Sequence, residues 1–316
     1  MNPTDTQPRI LISCPPMLGM MQEFFPLFED KGIVVDTPQV VQTLSESELI
    51  RLLPGYDGWI IGDDPATASV LEHGRAGRLR AAVKWGIGTD NIDQEAMARL
   101  GIAFTNTPNM FGREVADIAL GYTVALARDT FLIDREIRHG GWPKPAGISL
   151  AGRTVGLVGY GDIGRNIARR LAASEMNIIV YDPACTKVEA GPKVRLATWP
   201  QGVEQCDFLI FACSLTPANR HMLNRATLQQ CRQGVRIVNV ARGPLINESD
   251  LIEALQSGKV CSVALDVMES EPLPESSPLR TFPRCIFGSH NSSNTIDAVR
   301  RTSLRAIELL FGFLNP

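Results

Sequence analysis

The sequence predicts an α/β fold built from two doubly wound parallel sheets. Two observations carry that prediction. Short apolar, β-branched runs alternate with helical runs over most of the 316 residues, and strand, glycine turn, helix and strand follow one another directly from Thr154 to Tyr181. Strands separated by helices need crossover connections, and crossovers make parallel sheets covered on both faces. A chain of this length holds about two domains with full cores.

In chain order, residues 9–13 form a short apolar strand that stops at Cys14-Pro15-Pro16, and residues 17–28 space large apolar side chains as a helix does. Residues 33–35, 59–61, 82–85 and 102–105 read as further strands, with helices at 44–53, 66–79 and 94–100. Asp63-Asp64 reads as the cap of the second of these helices. This first run carries no phosphate fingerprint, so a nucleotide site is expected elsewhere. Residues 109–128 are apolar on nearly every helical face, which suits a helix that crosses between domains or lies in an interface. Residues 135–147 are polar and rich in glycine and proline, and read as a loop.

The strand at 154–158 opens the most informative stretch. Gly159, Tyr160, Gly161, Asp162, Ile163 and Gly164 form a G-x-G-x-x-G turn into a helix at 165–173, and the next strand, 177–181, ends in Asp182. Gly159 permits the tight turn, Gly161 lets a pyrophosphate approach the backbone, and Gly164 lets helix and strand pack closely. Asp182 is placed to accept from the two hydroxyls of an adenosine ribose, and its charge disfavours a 2′-phosphate. The expected cofactor is therefore NAD rather than NADP.

The β/α alternation continues with strands at 208–212, 235–240, 261–265 and 285–287 and helices at 198–205, 225–232 and 248–257, closing on an amphipathic helix at 294–313. Ligands of such sheets bind outside the carboxyl ends of the strands. There the sequence places Cys213, Ser214 and Thr216, then Ala241 and Arg242, then Asp266, then Gly288-Ser289-His290. Small, polar and charged residues thus gather on one rim, a pattern that a core alone does not require.

Composition excludes several classes. With 44% hydrophobic and 21% charged residues and a net charge of −3, there is no basic excess for nucleic acid and no apolar run of membrane-spanning length. Residues 1–7 are polar and lack the pattern of a secretory signal. The seven cysteines are odd in number and contain no C-x-x-C, so they read as free thiols of a cytoplasmic protein. No metal site is expected.

Taken together, the motifs resemble the D-isomer-specific 2-hydroxyacid dehydrogenases, of the phosphoglycerate dehydrogenase-like and glyoxylate–hydroxypyruvate reductase-like kinds. The matching residues are Gly86-Ile-Gly-Thr-Asp-Asn-Ile-Asp93, Thr107-Pro-Asn109, the glycine turn with Asp182, Ser214-Leu-Thr-Pro217, Asn239-Val-Ala-Arg-Gly-Pro-Leu-Ile-Asn247, Ala264-Leu-Asp-Val267, Glu271-Pro272 and His290. The resemblance implies a Rossmann NAD domain (106–287) inserted in a split, flavodoxin-like substrate domain (1–105 with 288–316), joined by two helices that permit closure. It assigns Arg242 to the substrate carboxylate and keto oxygen, His290 to proton exchange and Glu271 to holding and charging that histidine. Asp266 is assigned to the nicotinamide carboxamide, and Gly86, Ile87 and Gly88 to backbone donation toward the substrate carboxylate. The implied activity is hydride transfer between NAD and a D-2-hydroxy acid/2-keto acid pair, in a homodimer. Glu269 rivals Glu271 by position, but the family pattern puts the acid directly before proline.

Departures from the pattern are informative. Ser214 stands where many relatives have proline. Gly62-Asp63 lies where phosphoglycerate-type members tend to have an arginine, whereas Lys84 keeps a basic residue. Glu271 stands where formate-oxidising relatives place glutamine. No regulatory domain is expected after Pro316. The competing class is an NAD(H)-sensing binding protein on the same fold, like some transcriptional co-repressors. S-adenosylmethionine binding is a weaker third reading, since it leaves Arg242, Glu271 and His290 unexplained.

Overall fold

The computed structural model describes residues 7–188, 191 and 193–315. Of the polar N-terminal stretch, residues 1–6 lie outside this range, as does the terminal Pro316. The chain divides into two compact units, Met1–Met110 with Asn294–Pro316, and Phe111–Ser293. The second crossing falls after Ser293, where the sequence reading places it at 288. The reason is local: the Gly288 and His290 N–H groups donate to Leu265 O and Asp266 O, so the histidine loop stays with the second unit.

In the first unit the chain runs β1 (Arg9–Ile12), α1 (Pro15–Leu18), α2 (Phe25–Glu29), β2 (Val34–Asp36), α3 (Glu46–Leu52), β3 (Gly58–Ile61), α4 (Ala68–Ala76), β4 (Ala81–Lys84), α5 (Gln94–Leu100) and β5 (Ala103–Asn106). The strands pair in parallel in the order β2-β1-β3-β4-β5, the flavodoxin-like order. The single helix expected at 17–28 is broken, because Pro26 lacks an N–H and suits only the first turn of α2. Ser45 and Glu48 make a reciprocal capping box on α3. Thr67, not Asp63 or Asp64, caps α4, which corrects the reading of those two acids.

The second unit continues with α6 (Gly112–Arg128), α7 (Thr130–Arg138), β6 (Thr154–Val158), α8 (Asp162–Ala173), β7 (Asn177–Tyr181), β8 (Val194–Leu196), β9 (Phe208–Phe211), α9 (Arg225–Gln230), β10 (Val235–Asn239), α10 (Glu248–Gln256), β11 (Val260–Leu265) and β12 (Cys285–Phe287). Its parallel sheet has the order β12-β11-β10-β9-β6-β7-β8, so the chain reverses direction across the sheet between β6 and β9. Ligands bind at such switch points. Two elements were not read from sequence, the edge strand β8 and α7. A third was read as longer than it is: only a turn at Val203–Gln205 stands where a helix was expected at 198–205, since Gly202, at φ 85°, is left-handed and begins the turn there.

The last helix, α11 (Ile296–Leu314), returns to the first unit and packs on β3 and β4, with the Leu310 and Leu314 methyls against Gly58. In the second unit α6 runs along α8 and against β10 and β11. Among the described residues no helix is long and apolar enough to cross a membrane.

Candidate active site

The glycine turn is built as its residue types require. Gly159 has φ 97°, and a Cβ there would press on the backbone of Ala212 and Cys213 in the adjoining loop. A Cβ on Gly164 would run into Gly159 O, so helix and turn touch through bare backbone. Gly161, the N-cap of α8, faces open space instead. Close packing on one side and an open helix N-terminus on the other make a cradle that fits a pyrophosphate. Asp162 turns aside, accepting from the Asn166 amide at 3.2 Å and lying against Gly112. Tyr160 is buried, and Ile163 is in the first turn of α8. Asp182 holds the turn from the next strand, accepting the Tyr160 N–H at 2.7 Å and the Ala184 N–H at 2.9 Å.

Two asparagines to which the sequence reading gave no role of their own shape the neighbouring loops. After β9, Asn219 donates to Ser214 O at 2.8 Å and accepts from the Thr216 N–H at 2.7 Å, closing the Cys213–Thr216 turn. Burial pushes the Cys213 thiol up to about 11, so it sits there as a neutral wall. After β10, the fully buried Asn239 accepts from the Ala241 N–H at 3.0 Å and donates to Arg242 O at 2.9 Å. This clamp sets the turn that carries Arg242. The guanidinium of Arg242 donates back to Ala241 O at 2.9 Å.

The side chains of His290 and Glu271, paired by the resemblance, lie within hydrogen-bond reach. Nδ1 of His290 lies 2.9 Å from Glu271 Oε2, with the two side chains 24% and 23% exposed. The carboxylate thus engages the ring through Nδ1, the nitrogen nearer the backbone. Glu271 Oε1 accepts from the Met268 N–H at 2.9 Å, which fixes the carboxylate plane. His290 itself has φ 55°, a conformation that costs on the order of 1 kcal/mol and needs support.

That support comes from Asp266, in a way the sequence did not foretell. Its carboxylate, in a residue only 1% exposed, accepts the N–H groups of Asn291 at 3.1 Å and Ser292 at 3.0 Å. Together with the His290 N–H to Asp266 O bond of 2.7 Å, these clasp the histidine loop on both sides of the ring. Gly288 leaves room for the clasp, since a Cβ there would run into Asp266 Oδ1 and the Tyr122 hydroxyl of α6. Burial, and then the Asp266 charge, push the Tyr122 phenol up to about 12.

In the first unit, the loop after β4 carries Gly86, Ile87 and Gly88. Gly86 has φ 137°, and its N–H already donates to Thr107 Oγ1 at 2.8 Å. The expectation that all three N–H groups face a substrate is therefore corrected for Gly86, while the Ile87 carbonyl is held by Asn106 at 2.8 Å. Behind this loop the buried Lys84 donates to Gly62 O and to Asp63 Oδ1, the latter at 2.8 Å. Asp64 is buried, accepting from Ser13 Oγ at 2.5 Å, Leu44 N at 2.7 Å and Gly62 N at 3.1 Å; burial still holds its carboxyl above the ordinary range.

The two glutamates have different partners. Glu269 bonds His221 Nε2 at 2.5 Å, and Glu271 bonds His290.

With fold and rim geometry in hand, comparison with known proteins gives one answer. The family described as "D-isomer specific 2-hydroxyacid dehydrogenase, NAD binding domain" matches residues 120–292. Hydroxypyruvate reductase of Thermotoga maritima is 34% identical over 273 residues, covering 85% of this chain and 88% of that one. D-3-phosphoglycerate dehydrogenase of Homo sapiens is 35% identical over 281 residues, covering 87% of this chain and 51% of that one. The chain thus spans about half the length of such phosphoglycerate dehydrogenases. Among solved structures, the TT0316 protein of Thermus thermophilus superposes with a TM-score of 0.85 at 27% identity, over 97% of each chain. The chain belongs to the D-isomer-specific 2-hydroxyacid dehydrogenases. It is an NAD-dependent oxidoreductase of that family, and the open cradle at Gly161 fits the cofactor.

Proposed function

We propose that this chain interconverts a short, unphosphorylated 2-keto acid and its D-2-hydroxy acid, with Arg242, Glu271 and His290 as its catalytic residues. The observation that carries the reading is the 2.9 Å bond between His290 Nδ1 and Glu271 Oε2, on the same sheet rim as the Arg242 turn. NAD, when bound, supplies or accepts the hydride. As a 2-keto acid is reduced, negative charge grows on its carbonyl oxygen, and the protonated His290 gives up its Nε2 proton to that oxygen. Glu271 favours the charged ring and fixes its tautomer. Arg242 grips the substrate carboxylate through two parallel N–H bonds. In the first unit, the N–H groups of Ile87 and Gly88 are the proposed donors to a carboxylate, with Gly86 giving the turn its shape.

On the cofactor side, residues 159–164 take the pyrophosphate, and Cys213, Ser214, Thr216 and Ala241 line the rim beside it. Asp182 takes the ribose hydroxyls, which favours NAD over NADP. Asp266, whose oxygens keep lone pairs beyond those that hold the histidine loop, accepts from the carboxamide. The unphosphorylated class is supported by Lys84, whose ammonium is already matched by Asp63 and Gly62 O. The test is an NADH-oxidation screen over glyoxylate, hydroxypyruvate, pyruvate, longer 2-keto acids and 3-phosphohydroxypyruvate. A preference for the phosphorylated acid would sink that substrate class. Tight NADH binding without turnover of any acid would favour the sensor reading.

A homodimer belongs to the same proposal. Helices α6 and α7 and the loop after them expose Ile118, Val124, Phe131, Ile137 and Trp142, and α7 has no buried residue. Apolar exposure of this kind supports a partner surface, and a monomer by light scattering at micromolar concentration would refute it. Seven free cysteines support a reducing compartment, the cytoplasm.

A further inference from the structure

We infer that Glu269 and His221 are positioning residues for the acid–base pair, fixing the turn that brings Glu271 to His290. The inference rests on the reading of His290 and Glu271 as the proton-exchanging unit. Glu269 is joined to three loops at the carboxyl ends of three neighbouring strands. Its Oε1 bonds His221 Nε2 at 2.5 Å, in the loop after β9. Its Oε2 accepts the Glu248 N–H at 2.9 Å, at the start of α10 and so after β10. Its own N–H donates to Glu248 Oε2 at 3.4 Å. Its own turn, after β11, ends on Glu271, whose Oε1 accepts the Met268 N–H.

The partner is itself held. His221 sits at φ 53°, its N–H donates to Pro244 O at 2.8 Å, and its carbonyl accepts from Asn224 Nδ2 at 3.0 Å. The backbone of Met268 and Glu269 packs against Gly243, leaving no room for a Cβ beside Arg242. A rotation of the Glu269 turn would therefore disturb both the Arg242 turn and the Glu271 carboxylate. The other charged groups facing Glu269 are Arg220, at 3.9 Å, and Glu248. Burial raises the Glu248 carboxyl; the Glu269 N–H opposes that, and the Glu269 charge adds to it. The His221–Glu269 bond joins side chains 32% and 26% exposed and closes a loop of hydrogen bonds.

The experiment compares parent, Glu269→Gln, His221→Ala, His221→Gln and Glu271→Gln by pH–rate profiles for keto-acid reduction, with NADH saturating, alongside NADH affinity by fluorescence. A misplacement of well under 1 Å predicts a loss of about three- to tenfold in kcat for Glu269→Gln and His221→Ala. Their profiles should fall off at lower pH than the parent's, in the direction of Glu271→Gln but by less, with NADH affinity unchanged. His221→Gln, which keeps a donor at the same reach, should recover the parental profile. If Glu271→Gln moves the profile while Glu269→Gln and His221→Ala do not, the inference is overturned and the catalytic reading stands. If NADH affinity drops as much as kcat, the pair is a fold element only and the inference is likewise overturned. If Glu271→Gln itself leaves the profile in place, the underlying reading fails.

Discussion

His290 and His221 both sit in the left-handed region, at φ 55° and 53°, and both bond glutamates of one short turn, Glu271 and Glu269. They differ in which end of the ring is engaged. His290 uses Nδ1, next to its own backbone, whereas His221 uses Nε2, the tip of the ring. A ring tied to its glutamate at the base points its tip away from that carboxylate, whereas a ring tied at its tip ends on it. A histidine–carboxylate pair is therefore no signature of acid–base chemistry by itself; which nitrogen is engaged decides the role open to it. The loops follow the same division. Asp266 clasps the His290 loop through backbone N–H groups, and Glu269 ties His221 to the start of α10.

The largest expected effect tests that contrast directly. His290→Ala should lower turnover by roughly two to four orders of magnitude, the usual contribution of a general acid, with NADH affinity retained. His221→Ala should stay far short of that. Equal losses in the two variants would break the comparison, and full activity in His290→Ala would remove the histidine from the mechanism.

Arg242→Ala should come next. A charged, two-pronged hydrogen bond to a carboxylate supports a fall in kcat/KM of about 100-fold, expressed both as higher KM for the keto acid and as lower kcat. Neither histidine variant should raise KM in this way. A change in kcat alone would take the carboxylate-gripping role from Arg242.

Glu271→Gln sharpens the comparison at the level of charge. The amide no longer favours the imidazolium, so the ring gives up its proton at lower pH. Reduction needs the protonated ring, and its rate should fall off at lower pH than in the parent. Oxidation of the hydroxy acid needs the neutral ring, and its rate should rise at lower pH. The measurement is a pair of pH–rate profiles, one for each direction of the reaction. A shift of both profiles to lower pH supports the assignment, and a shift in only one of them would contradict it.

The comparison also marks how far a sequence can be read. The glycine turn was legible because its physics is local: a positive φ at Gly159, a close approach at Gly164 and an open N-terminus at Gly161 are all properties of adjacent residues. The strands at 154–158 and 177–181 were legible for the same reason, as buried β-branched runs bounded by turns. The clasp at Asp266 joins positions 25 and 26 residues apart, and the His221–Glu269 bond spans 48, separations over which no residue pattern names a partner. Asp63 and Asp64 were read as a cap because that is the local role of an acid before a helix. Buried neighbours just after β1 and at the end of β4, Ser13 and Lys84, claimed them instead. The helix α7 escaped because none of its residues is buried, so its apolar positions mark no core face.

The smallest expected effect concerns a third carboxylate that holds backbone. Asp182 accepts the Tyr160 and Ala184 N–H groups as Glu269 accepts that of Glu248, but it stands at the end of β7, at the glycine turn rather than beside the histidine loop. If backbone-holding carboxylates matter only for the loop they hold, Asp182→Ala should act on the cofactor and not on the proton. Loss of one charge-assisted set of hydrogen bonds predicts NADH binding weaker by about tenfold. Removing the charge that repels a 2′-phosphate should also narrow the gap between NADH and NADPH. The pH–rate profile at saturating NADH should coincide with the parent's. Fluorescence titrations with both cofactors and one pH series decide the matter: a displaced profile in Asp182→Ala would show that disturbing any rim loop reaches His290, and the special place given to the Glu269 turn would be lost.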